Sequence, residues 1–74
     1  MTAAALDELL QAIGAPPGGP DDALELGSLA VLQLVDLIEA TTGVVLGSRD
    51  VTRASFATRG AVLAMLARRG ATCG

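Results

Sequence analysis

At 74 residues the chain makes one small domain, 1–74, and folding at this length hides only about 60% of the surface of the unfolded chain, so the core must be thin. With 51% hydrophobic residues but a single aromatic, Phe56, that core has to come from Leu, Val, Ile, Ala and Met, which favours an all-α bundle over packed sheets. A formal charge of -3 has the sign opposite to the footprint of a nucleic-acid binder and excludes DNA and RNA as expected partners.

The first segment, Thr2 to Ile13, sets Leu6, Leu9, Leu10 and Ile13 at helical spacing, with Asp7 and Glu8 on the other side. Thr2 suits the start of this helix, Gly14 its stop, and Pro16 and Pro17 prevent continuation. Asp7 and Glu8 read as acids favoured near a helix start. Ala15 to Asp22 is a loop of Pro, Gly and Asp, long for so small a domain, and loops of this length are usually functional or mobile. Leu24 and Leu26 alternate with polar neighbours, so the chain should run extended here and plug both leucines into the bundle.

From Ser28 to Thr42 the pattern predicts the central helix, with Val31, Leu34, Val35, Ile38 and Thr42 on its core face. Gln33, Asp36, Glu39 and Ala40 fall opposite, Leu32 and Leu37 at the edges, and Leu29 beside Ser28 on the polar side. Gly43 should end this helix, and Gly47-Ser48-Arg49-Asp50 is turn chemistry, with a short fourth helix expected near Ser48 to Arg53. Phe56 should fill the centre of the bundle. The last helix, Thr58 to Arg69, presents Val62, Leu63, Met65 and Leu66, and Arg68 and Arg69 meet the negative end of its dipole.

Catalysis finds little to work with. Histidine and lysine are absent, and no acid, base and nucleophile can be assembled, so the chain is not expected to be an enzyme. Asp21, Asp22 and Glu25 match no calcium-loop spacing and read as a solvated acidic loop, leaving no metal site. The lone cysteine, Cys73, cannot form an internal disulfide and has no neighbour that would activate it. No apolar run nears the ~18 residues of a membrane span and no signal core is present, which predicts a cytoplasmic protein with no membrane partner.

Ser28 is the candidate that remains. A serine at a helix start commonly caps it, its hydroxyl accepting a backbone N–H. The long loop before it, the outward leucine after it and the free amides of a helix start, which favour a phosphate, suit a covalently modified position instead.

Leu26-Gly27-Ser28-Leu29, the helix to Thr42, Gly43-Val44-Val45-Leu46, and Ser55-Phe56-Ala57-Thr58 leading into Val62-Leu63-Ala64-Met65-Leu66 together resemble the acyl carrier protein family over nearly the whole chain. The resemblance implies a small four-helix bundle, three long helices plus one short. It implies that a phosphopantetheinyl transferase attaches 4'-phosphopantetheine from coenzyme A to Ser28. On this resemblance the arm is expected to carry acyl or aminoacyl groups as thioesters between a loading enzyme and ketosynthase-type synthases, for lipid, polyketide or other natural-product biosynthesis, and the carrier is expected to be a monomer. Gly27, Leu29, Leu32, Gln33, Asp36 and Glu39 are the implied partner-binding residues.

Several positions depart from the family pattern. Gly27 stands where the family usually carries an aspartate that helps the transferase recognise its substrate, and Ala30, Gln33 and Ala40 replace common carboxylates. Thr42 stands where a bulky ring often fills the core. Peptidyl carriers share the architecture, but their Gly-Gly-(His/Asp)-Ser pattern is incomplete here, which favours the acyl branch. The start at Met1 and the short tail suggest a discrete carrier. Gly27 also keeps open an alternative: a carrier-like helical module that is never modified and acts by docking.

Overall fold

Three amphipathic segments become three helices: α1 (Ala3–Ala12), α2 (Ser28–Thr42) and α3 (Arg59–Arg68). The computed structural model of the chain describes residues 1–70, and Cys73 lies outside them. The described residues contain no β-strand beyond one isolated antiparallel bridge, Ala23 with Thr58.

The helix ends follow local chemistry. The Thr2 side chain accepts the Ala5 N–H and the Thr58 side chain accepts the Ala61 N–H, so each threonine caps a helix start. Thr58 therefore precedes α3 rather than opening it, and Arg69 follows α3 as its C-terminal cap. Past α1, Gly14 takes φ 83°, while the Ala15 N–H donates to the Leu10 carbonyl at 2.9 Å and the Gly14 N–H to Gln11 at 3.0 Å. That left-handed turn satisfies the last carbonyls of the helix and turns the chain toward the prolines.

α1 packs against both α2 and α3, whereas the backbones of α2 and α3 do not approach one another. Side chains fill the space between: Leu6 and Leu10 from α1, Leu34, Val35 and Ile38 from α2, Val62, Met65 and Leu66 from α3, with Leu24, Leu46 and Phe56 from the connections. Burying each large apolar side chain stabilises the fold by about 1.5–3 kcal/mol before the entropy of ordering it. Phe56 sits in this core as its composition predicts, and Leu24 is buried with Leu26 half-buried beside it.

The Pro/Gly loop is pinned rather than loose. Leu24 donates to the Ala57 carbonyl at 2.7 Å, Gly60 to Pro20 at 2.9 Å, and Gly19 to the Asp22 carboxylate at 2.7 Å. Arg59 holds it most firmly: only 7% exposed, it donates from Nε to Asp7 and from Nη2 to the Pro16 carbonyl, each at 2.8 Å. Asp7 lies beyond the first turn of α1, so its role is this ion pair and not the helix-start dipole.

The short fourth helix expected near Ser48 to Arg53 does not form. Residues 47–56 instead make successive turns, because polar side chains take the backbone donors. Asp50 accepts the Gly47 N–H at 3.1 Å and pairs with Arg69 at 3.3 Å, and Thr52 accepts the Ser55 N–H at 3.1 Å. Arg68 does lie in the last turn of α3, where its charge meets the negative helix end.

Candidate functional site

Gly27, with φ -73° and ψ 169°, is the last extended residue and occupies the N-cap of α2, which makes Ser28 the first helical residue. The capping role read for Ser28 is thereby corrected: Gly27 holds that place without a side chain, and α2 starts with no side-chain cap. Among the described residues the Ser28 hydroxyl has no hydrogen-bond partner, and the residue is exposed. Its oxygen is therefore not committed to holding the fold together.

Ser28 stands on the wall of a groove of about 450 Å³ between the first turns of α2 and the turns at 51–57. Leu24, Leu26, Val31, Val51 and Phe56 give it an apolar lining, Leu32 closes the α2 side, and Thr52 and Arg53 bring polar groups to the opposite wall. The groove is built by α2 and the connections alone, since no residue of α3 lines it, and buried Phe56 forms part of its floor.

The remaining candidate residues divide between two faces and one internal bond. Leu29 is 70% and Leu32 60% exposed, three residues apart and so neighbours on the helix surface. Gln33 and Asp36 line a different hollow, shared with Ala12, Ile13 and Leu37 on the α1 side. Glu39 reaches back to accept the Leu46 N–H at 2.7 Å, so its carboxylate fastens the segment after α2. Thr42 donates to the Ile38 carbonyl at 2.8 Å and accepts the Val44 N–H at 3.1 Å, a polar closure of the helix end in place of a ring.

The turn at 51–57 belongs to the site although no periodic pattern marks it. Its one sequence signal is Thr52 and Ser55, spaced for a hydroxyl turn: Thr52 donates to the Ser55 hydroxyl at 2.9 Å, and the Phe56 N–H donates to the Thr52 carbonyl at 3.2 Å. Arg53 rides on this turn with no ion pair or side-chain hydrogen bond among the described residues.

Asp21, Asp22 and Glu25 do not form a cluster fit for a metal ion, and no other such group occurs among the described residues. No described helix is long and apolar enough to cross a membrane. An exposed, uncommitted hydroxyl at the mouth of an apolar groove can receive a covalent group whose apolar parts then find shelter in the groove. Comparison of the chain with models of protein families, with curated proteins and with solved structures returns no match in any of the three.

Proposed function

We propose that the protein is an acyl carrier that holds acyl or aminoacyl intermediates on a 4'-phosphopantetheine arm at Ser28. One observation carries this reading: the Ser28 hydroxyl is exposed, makes no hydrogen bond among the described residues and stands beside an apolar groove of about 450 Å³. A serine kept only to start the helix would spend its oxygen on a backbone N–H, as Thr2 and Thr58 do.

The residues present fit the group. Loading forms an Oγ–P bond at Ser28 while the phosphoanhydride of coenzyme A breaks, adenosine 3',5'-bisphosphate leaves, and the hydroxyl proton passes to a base on the transferase. Once bound, the group supplies a thiol that carries its cargo as a thioester. The carrier positions and shelters this cargo, and the partner enzymes supply the catalysis. A Cβ at Gly27 would meet no described atom within 4 Å, so the surface next to Ser28 is open at this position. Leu29 and Leu32 offer a partner an apolar contact next to the modified oxygen, with Gln33 and Asp36 further round the helix. A cytoplasmic monomer working between a phosphopantetheinyl transferase, a loading enzyme and a synthase belongs to the same proposal.

Intact mass spectrometry after incubation with coenzyme A and a broad-specificity transferase tests it. Wild type is expected to gain one phosphopantetheinyl group and Ser28→Ala none; no gain in wild type, or an equal gain in the variant, sinks the assignment. The exposed Leu29 and Leu32 beside a glycine that lacks the usual carboxylate favour a second reading, an unmodified docking module. That reading is the one a wild type with unchanged mass would leave standing.

A further inference from the structure

The groove beside Ser28 has one arginine on its wall, Arg53, and among the described residues that cation has no ion pair or side-chain hydrogen bond. The other two arginines with tertiary roles are committed, Arg59 to Asp7 and Pro16, Arg69 to Asp50 and the Val45 carbonyl. Nor does α2 offer a competitor: from Ser28 to Val35 it carries no charged side chain, and Asp36 is eight residues on, roughly 12 Å along the helix axis. Arg53 is also held on a defined support, because the Thr52–Ser55 hydroxyl turn fixes its backbone and buried Phe56 anchors the far end of that turn. A guanidinium and a serine oxygen, both without a partner among the described residues, therefore share one concavity with an apolar floor.

We propose that Arg53 pairs with the phosphodiester of the group carried on Ser28, and that this contact lays the arm along the groove instead of leaving it extended in water. The proposal rests on Ser28 being the attachment point. The chemistry matches on both sides: a guanidinium suits phosphate oxygens better than an ammonium does, and the apolar lining from Val31, Val51 and Phe56 suits the paired methyl groups that follow the phosphate in the arm. An arm held in this way starts each transfer from a defined position, and its release requires a partner to supply a competing surface.

The test uses the holo protein in its free-thiol form. Phosphorus NMR of the phosphodiester is compared with that of a short phosphopantetheinyl-serine peptide, together with nuclear Overhauser contacts from the arm methyls to Val51 and Phe56. The expected result is a phosphorus shift distinct from the peptide's and methyl contacts to both residues, all lost in Arg53→Gln and partly kept in Arg53→Lys. Raising the salt to molar concentration should weaken the contacts in wild type. Arg53 is exposed and bonded to nothing among the described residues, so both variants should keep the wild-type circular dichroism. Peptide-like signals in wild type, or contacts unchanged in Arg53→Gln, overturn the pairing. Contacts that arise only after loading a carboxylate-bearing acyl group also overturn it, because the anion sought by Arg53 is then the cargo. A protein that gains no mass at all removes the carrier function and the pairing together, whereas a modified protein with a free arm removes the pairing alone.

Discussion

Arg59 and Asp7 face each other across 2.8 Å, joining the first residue of α3 to the second turn of α1, with the arginine buried and the aspartate 56% exposed. The cation stands at the positive end of its own helix, where a charge of that sign is disfavoured, so its carboxylate partner and the Pro16 carbonyl offset both burial and dipole.

Replacing Arg59 by alanine should therefore destabilise the domain by about 2 kcal/mol, through the lost bond to Pro16 and the space left under the loop. Asp7→Asn should cost about 1 kcal/mol, since the carboxylate is half in water and an amide oxygen still accepts the Nε–H. Urea titration followed by circular dichroism measures both; equal, negligible losses would show that the clasp is ornamental to stability.

Two leucines five residues apart on α2 should respond in opposite ways. Leu34→Ala removes a fully buried side chain and should cost about 2–5 kcal/mol in the same titration. Leu29→Glu alters a side chain that is 70% exposed and should leave stability within about 0.5 kcal/mol, while slowing modification of Ser28 by a transferase that docks on this face.

A Cβ added at Gly27 meets no described atom within 4 Å, and the backbone there is ordinary extended chain. Gly27→Asp is thus expected to fold normally, to stabilise the uncapped helix start by a few tenths of a kcal/mol, and to speed loading from coenzyme A in a mass-resolved time course. A slower time course would mean that the glycine itself is what the cognate transferase reads.

Glu39 offers a way to separate docking from folding. Glu39→Ala strands the Leu46 N–H and should cost about 1 kcal/mol, whereas Glu39→Gln keeps an acceptor oxygen and should recover most of it. Should the glutamine variant fold like wild type yet load poorly, the charge serves a partner in addition to the bond.

The helices were legible because each carries its own periodicity and its own stop. Leu6, Leu10, Leu34, Ile38, Val62 and Leu66 recur at helical spacing, Gly14 and Gly43 end α1 and α2 with positive φ, and one Phe in an aliphatic chain belongs at the centre. Ser28 could be singled out, but not its exact place: whether Gly27 or Ser28 is the cap depends on one pair of backbone angles that neither residue type dictates. The opposite wall of the groove was not legible. Arg53 enters the site through the path of a turn, and Arg59 finds Asp7 across 52 residues of chain, relationships that only the packed fold creates.

The polar ties of the fold are unevenly spread. Arg59, Gly60 and Arg69 tie the connections to α1 and the ends of α3, and Leu24 ties one connection to the other through Ala57, while residues 26–38 make no hydrogen bond to another segment among those described. The Ser28 end of α2 is thus held by dispersion and hydrophobic contact alone, forces without preferred direction, so it can shift along its neighbours without breaking a directed bond. Of the three helix starts described, the one that carries Ser28 is the one with no side-chain cap and no directed tie to a neighbour. Amide hydrogen exchange should find that start opening well before α1 and α3 do.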